Sequence, residues 1–162
     1  MSQSKSKISH KPNIFYGNYT ERLEDWQSIR DVINEAEDPF NILINIFQHC
    51  PRTKTDTNIY KKDTWLNGWQ LIEKNEYDLV DISLLVSYTI LLTDNFKDHD
   101  LKIHTVYTKE DSSNNQKFSY IIEMENSLID IYSMAKLNKS TFDKNYILQY
   151  TTHIRELINT KN

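Results

Sequence analysis

Cys50 is the one thiol in the sequence of 162 residues. A cysteine acts as a nucleophile when a histidine takes its proton and an acid orients that histidine. His104 and Asp130 could complete such a set, which would make the chain a cysteine hydrolase or transferase. Cys50, however, lies at the end of a predicted helix, where the dipole raises the pKa of a thiol, and Pro51 follows it. The sequence favours Cys50 as a small apolar residue at a helix end and keeps the catalytic set as the alternative.

Carboxylates and a histidine are crowded together in the segment DNFKDHD, which holds Asp94, Asp98, His99 and Asp100. Calcium loops need a glycine at the sharp turn and a bidentate glutamate at the twelfth position, and zinc needs more ligands at close spacing. The segment supplies neither. With two glycines in the whole chain, glycine-rich phosphate loops are excluded as well. We therefore expect a solvated turn here, no metal and no cofactor.

Aromatic residues gather in the middle of the chain. Trp65 and Trp69 are four residues apart, with Tyr60 before them and Tyr77 after them. Tryptophan and tyrosine dominate the energetically important positions of protein interfaces, so Tyr60, Trp65 and Trp69 are candidate binding residues. Such a cluster more often fills a core beside the start of a helix. Core packing is the favoured interpretation, and a binding patch is the alternative.

The overall composition limits the classes of partner. The net charge is −4, and no basic run is longer than Lys61-Lys62, so a non-specific nucleic-acid binder is not expected. The longest apolar stretch, residues 79–92, is shorter than the roughly 20 residues that span a bilayer. The polar N-terminus shows no secretory signal, and one cysteine excludes an internal disulfide. These features predict a cytoplasmic protein without a membrane or nucleic-acid partner.

The first half of the chain predicts helices. Residues 1–18 are polar and predict a flexible N-terminal arm, and residues 19–162 predict a single domain. Apolar residues at helical spacing predict a helix capped by Thr20, and a second helix beginning at Pro39. Asn67 with Gln70 predicts the start of a short helix, and Asp78 caps a helix that runs to about residue 93. That last helix is apolar on nearly all sides, so it must be buried.

The second half predicts strands and a final helix. LKIHTVYT alternates in the manner of a strand, and KFSYIIEMEN and SLIDIYS continue an antiparallel meander of three strands. Residues 140–162 carry an apolar stripe at helical spacing, after a cap at Ser140, and predict a long C-terminal helix. The fold class is α+β. The wide stripe of the last helix could pack on its own domain or on a second copy, so a homo-oligomer stays open.

The order of a buried helix followed by three antiparallel strands resembles the transglutaminase-like, or papain-like, cysteine hydrolase core. In that family a cysteine begins the buried helix, a histidine opens the second strand and an aspartate sits on the third. The matching segments here are YDLVDISLLV, SYIIEM and LIDI. The resemblance places Tyr77 or Asp78 at the nucleophile position, Ser119 at the base position and Asp130 at the acid position. A phenol with a pKa near 10 and a serine cannot replace thiolate and base, so the resemblance implies a degenerate site.

Residues 65–96 resemble a second group of proteins. The pattern W-x-x-x-W-x-[LI]-I-x-x-N-x-Y, followed by an aromatic helix that ends in L-T-D-x-F, is similar to small uncharacterised proteins of large contractile-tailed phages. Abundant Lys, Asn and Ile with two Ala and two Gly also indicate an AT-rich genome. Together these features predict a non-catalytic phage protein that binds a phage or host protein, as an assembly accessory or a host-takeover factor. It would work in the cytoplasm of the host, or associated with the virion.

Overall fold

The computed structural model describes residues 12–54, 57–109 and 117–155. Its helices are α1 (Tyr19–Asn34), α2 (Pro39–Phe47), α3 (Gly68–Glu73), α4 (Leu79–Leu91) and α5 (Lys139–Asn145), with a short 3-10 turn at Lys62–Thr64. Its strands are β1 (Leu101–Thr108), β2 (Phe118–Met124), β3 (Ser127–Asp130), β4 (Ala135–Leu137) and β5 (Tyr146–His153). The strands form one antiparallel sheet in the order β4-β3-β2-β1-β5. The predicted α+β class is confirmed.

Three helices begin with reciprocal capping boxes, in which the cap side chain accepts a backbone N–H and the third helical residue returns a bond. The caps are Asn18 for α1, Asn67 for α3 and Asp78 for α4. The starts of α3 and α4 are those that the sequence predicts. For α1 the cap is Asn18, where the sequence predicts Thr20, because Asn18 lies just outside the helix in extended conformation.

The sheet separates two apolar clusters, which define its faces. Leu101, Ile103 and Ile122 belong to the large core that also contains α4, and their side of the sheet is called the inner face. Val106, Ile121 and Leu128 pack with Phe142 of α5 on the other side, called the outer face. Because neighbouring residues of a strand point to opposite sides, β1, β2 and β3 each supply both clusters.

The chain begins to pack on the domain at an earlier residue than the sequence predicts. Residues 1–11 lie outside the described residues, but residues 12–18, assigned to the predicted arm, pack on the domain. Ile14 and Phe15 are buried in the core, and the backbone N–H of Asn13 donates to Asp25. The buried Arg22 also donates to the carbonyl of Gly17 at 3.1 Å. These contacts correct the boundary of the arm, because two apolar side chains anchor the segment.

The C-terminal region differs most from the sequence prediction. Helix α5 ends at Asn145, and residues 146–153 form β5 instead of continuing a helix. The cap of α5 is Asn138, not Ser140. Strand β5 pairs with β1 along its length, with a bulge opposite Thr105 and Val106. The bulge interrupts the two-residue alternation of a strand, so the apolar residues acquire a helix-like spacing. The predicted helix beyond residue 155 lies outside the described residues.

The structure contains a further short strand, β4, which the sequence did not indicate because its three residues are mostly exposed. Among the described residues, no helix has the length and apolar character needed to cross a bilayer.

Candidate functional site

A groove lies where the start of α4 meets the inner face of β1 and β2, and we call it the aromatic groove. Its cavity volume is about 410 Å³. Its lining comes from the loop before the 3-10 turn, the start of α4 and the two strands: Thr57, Asn58, Ile59, Tyr60, Asp78, Leu79, Val80, Tyr107, Phe118 and Tyr120. Apart from Asp78, every side chain of this lining is uncharged.

Asp78 is occupied by hydrogen bonds that build the groove. One carboxylate oxygen accepts the N–H of Asp81 at 2.8 Å, as the cap of α4. The other accepts both the N–H and the hydroxyl of Thr57, at 2.7 and 2.5 Å. Asp78 is 4% exposed. The residue at the predicted nucleophile position therefore fixes the loop wall of the groove to the helix.

Tyr77 is fully buried and lies in the core. Its hydroxyl donates to the carbonyl of Leu71 at 2.8 Å and is 3.1 Å from that of Lys74. Burial, reinforced by the neighbouring Cys50, raises the pKa of the phenol above its usual range. The side chain joins the end of α3 to the start of α4 and is held in its neutral form.

Ser119 and Asp130 lie together, but on the outer face. The Ser119 hydroxyl donates to one oxygen of Asp130 at 2.6 Å, and the hydroxyl of Tyr146 donates to the other at 2.5 Å. Both residues share the face of Ile121, which is paired with Asp130 across the sheet. The four positions of the predicted degenerate site are thus divided. Tyr77 and Asp78 are on the side of α4, whereas Ser119 and Asp130 are behind the sheet.

Cys50 and His104 are divided in the same way. Cys50 belongs to the large core, where its Sγ lies 3.8 Å from the carbonyl of Pro51. Burial raises the pKa of the thiol to about 12, the nearby Asp81 adds to this, and Arg52 acts in the opposite direction. His104 lies on the outer face, between Thr151 at 2.8 Å and Glu123 at 2.7 Å. Since both ring nitrogens have other partners, the set of Cys50, His104 and Asp130 is not assembled.

The predicted binding residues have three different environments. Tyr60 is 63% exposed at the groove, with its ring 5.6 Å from that of Tyr150. Trp65 is buried, and its indole N–H donates to the carbonyl of Asn58 at 3.0 Å, which supports the groove loop from behind. Trp69 is 39% exposed and meets Trp26 edge to face. The three residues do not form one patch, and Tyr60 alone lines the groove.

The strand residues of the groove are Tyr107, Phe118 and Tyr120, none of which the sequence marks as a binding residue. Their rings are in contact, with centroids 5.1 Å apart for Tyr107 and Phe118 and again for Phe118 and Tyr120. The alternation of LKIHTVYT does place Tyr107 on the same face as Leu101 and Ile103. The pairing of Tyr107 with Phe118 then completes the wall, and it depends on a strand register that the sequence does not give.

The acidic turn around His99 forms pairwise contacts. His99 Nδ1 lies 2.7 Å from Glu125, and His153 Nδ1 lies 3.2 Å from Asp100. Within residues 12–54, 57–109 and 117–155, no three histidine, cysteine or carboxylate side chains are arranged to hold a metal ion.

No family model, no curated protein sequence and no solved structure matches the chain. The two resemblances described from the sequence therefore remain predictions, and the function is argued from the geometry of the groove.

Proposed function

We propose that this chain is a phage-encoded, non-catalytic protein that acts through protein–protein contacts, as an accessory of virion assembly or as a host-takeover factor. The observation that carries the proposal is the aromatic groove, an open cavity walled by packed tyrosine and phenylalanine rings. The groove is the contact surface in this proposal. The phage origin is supported by the resemblance of residues 65–96 and by the AT-rich composition.

The chemistry of the groove favours an apolar side chain as its occupant. Tyr107, Phe118 and Tyr120 present ring surface, and Leu79 and Val80 add aliphatic surface. The one charged lining residue, Asp78, is already bonded to Thr57 and to the helix start. A charged ligand would lose its hydration without gaining a counter-ion from this lining, which is costly. An apolar or aromatic anchor on a partner protein would lose nothing comparable.

Tyr60 is the residue that would close on such an anchor. It is exposed, and two hydrogen bonds hold its loop in place. The N–H of Thr57 donates to Asp78, and the indole N–H of Trp65 donates to the carbonyl of Asn58. A rigid loop that presents an exposed tyrosine loses little conformational entropy on binding. Tyrosines in this situation are common among the residues that dominate interface energetics.

The alternative, a cysteine hydrolase or transferase that uses Cys50 and His104, lacks support from the geometry. Its nucleophile would be a buried thiol with a raised pKa, and its base would be on the other side of the sheet, bonded to Glu123. A purified sample that hydrolyses or cross-links peptide amides, and loses this activity on Cys50→Ala, would contradict the proposal.

The test compares two tyrosines of equal exposure. Tyr60→Ala removes the groove residue, and Tyr16→Ala removes a tyrosine that is 64% exposed elsewhere. Each variant is used to capture proteins from cells that express the chain, and the captured proteins are quantified by mass spectrometry. We expect at least one partner that wild type and Tyr16→Ala retain and Tyr60→Ala loses. Identical partner sets for both variants would contradict the role of the groove.

Binding of the identified partner is then measured with purified proteins by calorimetry. Truncation of a central tyrosine is expected to weaken affinity by about 2 kcal/mol, or roughly thirtyfold. Mass spectrometry of purified virions distinguishes the two phage roles, since an assembly accessory that stays on the particle is found there and a host-takeover factor is not.

A further inference from the structure

The two edges of the sheet differ in their protection. At one edge, β4 has three residues, and Lys136 in its centre forms an ion pair with Asp38 at the start of α2. Short strands, lysines and β-bulges are among the means by which proteins prevent an edge from pairing with another chain. At the other edge, β5 has eight residues, YILQYTTH, without lysine, arginine, proline or a carboxylate, so the bulge at Gln149 is its one protective feature of this kind.

Strand β5 also exposes apolar surface. Leu148 is 51% exposed and Ile147 is 38% exposed. The strand pairs with β1 on one side, and no strand among the described residues pairs with its other side. A long, uncharged edge with exposed aliphatic side chains is a template for another strand.

We propose that β5 pairs antiparallel with β5 of a second copy of this chain, which closes a two-fold dimer and joins the two sheets into one. Two identical edges related by a two-fold axis present the same surface to each other, so the contact is closed and does not propagate. The strand carries no acidic or basic side chain of fixed charge, so the two copies place no such like charges opposite each other. This property favours a second copy as the occupant.

The bulge of β5 selects the register of the pairing. In an antiparallel dimer of this kind, the inner faces of both sheets are continuous, so residues directly opposite must share a face. The pairing with β1 puts Ile147, Tyr150 and Thr152 on the inner face. The same pairing puts Tyr146, Leu148, Thr151 and His153 on the outer face.

One full-length register satisfies this condition at every position that the pairing with β1 assigns to a face, and it sets the bulge residue Gln149, which has no partner on β1, opposite Tyr150. It sets Ile147 opposite Thr152 of the second copy, both on the inner face, and Leu148 opposite Thr151, both on the outer face. Tyr146 then meets His153 at each end. A shift by one residue would set Leu148 opposite Tyr150 and would put an outer-face side chain beside an inner-face one. Like charges directly opposite each other destabilise a strand pair, and this register contains none, so the pairing is compatible with its side chains.

The first test measures the mass of the full chain in solution by sedimentation over a range of concentrations. We expect twice the chain mass of 19.3 kDa, with dissociation on dilution. Leu148→Lys adds a charge at the edge, and we expect it to weaken dimerisation at least about tenfold. Val32→Lys is the matched control, because Val32 is 56% exposed on α1, and it should leave the dimer intact. A wild-type chain that stays monomeric at millimolar concentration would overturn the proposal, as would a dimer indifferent to Leu148→Lys.

The second test reads the register by oxidative cross-linking. The double variant Leu148→Cys with Thr151→Cys should form a covalent dimer, because each new thiol faces its counterpart on the second copy. Within one strand these positions are too far apart to bridge. The single variant Leu148→Cys and the wild type, whose Cys50 is buried, should stay uncross-linked. Cross-linking by the single variant, or none by the double variant, would overturn the register.

Discussion

The inner and outer faces of the sheet are held to their neighbours by different interactions. The inner face packs apolar side chains against α4 and the helices around it. The outer face has a small apolar cluster under α5. It also carries two groups of hydrogen-bonded side chains, Ser119–Asp130–Tyr146 and Glu123–His104–Thr151. Half of the residues that looked catalytic in the sequence, His104, Ser119 and Asp130, belong to the outer face, where each already has a structural partner.

This difference explains why residues that are neighbours in sequence do not converge. Ser119 and Tyr120 are adjacent on β2, yet Tyr120 lines the aromatic groove and Ser119 bonds Asp130 on the other face. A catalytic set needs side chains on one side of a sheet. The resemblance assigned the base position to Ser119, whereas its neighbour Tyr120 is the residue that shares the groove with the start of α4.

The comparison of the two faces is tested most strongly by two adjacent isoleucines. Ile122 and Ile121 are both fully buried, one on each face. Truncation of a buried isoleucine to alanine costs about 2–5 kcal/mol, depending on how far the site relaxes. We expect Ile122→Ala near the upper end, because the large core surrounds it, and Ile121→Ala near the lower end, because a thinner layer can relax. Denaturant unfolding measures both, and equal losses would contradict the distinction.

The polar groups of the outer face are tested by Asp130→Ala. The carboxylate accepts the hydroxyls of Ser119 and Tyr146, and its removal leaves these donors without an acceptor. We expect a loss of about 1–3 kcal/mol in the free energy of unfolding. Asp143→Ala on the exposed side of α5 is the control and should change little. The double variant Asp130→Ala with Tyr146→Phe should lose less than the sum of the single losses, and strict additivity would contradict a shared network.

Much of the inner face can be predicted from the sequence, and the outer face cannot. The caps at Asn67 and Asp78 and the apolar run after Asp78 define α3 and α4, because capping and burial are local properties. The strand β5 could not be recognised, because its bulge gives YILQYTTH a helix-like pattern and its strand conformation depends on pairing with β1. The groove required the register between Tyr107 and Phe118, which is a long-range property. The sequence selected Tyr60 and Asp78 but missed the rings opposite them.

Because Cys50 is buried, we expect the free energy of unfolding to depend on pH in the alkaline range. An ordinary thiol has a pKa of about 8.5, whereas burial raises that of Cys50 to about 12. Its contribution to stability is therefore complete below pH 8.5 and is lost as the pH rises towards 12, because the unfolded chain ionises first. By pH 10 we expect a loss of about 1–2 kcal/mol. The denaturant midpoint should fall further between pH 7 and pH 10 for wild type than for Cys50→Ala. An equal fall for the two proteins would contradict a buried neutral thiol.

The smallest effect on stability is expected at the groove mouth. Tyr60→Ala truncates an exposed side chain, so the free energy of unfolding should change by no more than about 0.5 kcal/mol. Partner capture should nevertheless be lost. A thermal melt beside the capture experiment checks both, and a strongly lowered melting temperature would mean that Tyr60 supports the fold and not an interface.

The separation of the two faces is tested most directly by nuclear Overhauser effects in a sample with labelled methyl groups and aromatic rings. The structure predicts a contact between the rings of Tyr120 and Phe118, whose centroids are 5.1 Å apart, and it puts both rings in one groove lining with Leu79 and Val80. It predicts none between Ser119 and the methyl groups of Leu79 and Val80, and it predicts a contact from the Ser119 side chain to the amide proton of Tyr132, whose nitrogen lies 3.3 Å from the Ser119 hydroxyl oxygen. Contacts from Ser119 to Val80 would put the predicted base position at the start of α4 and would contradict the division on which this account of the groove depends.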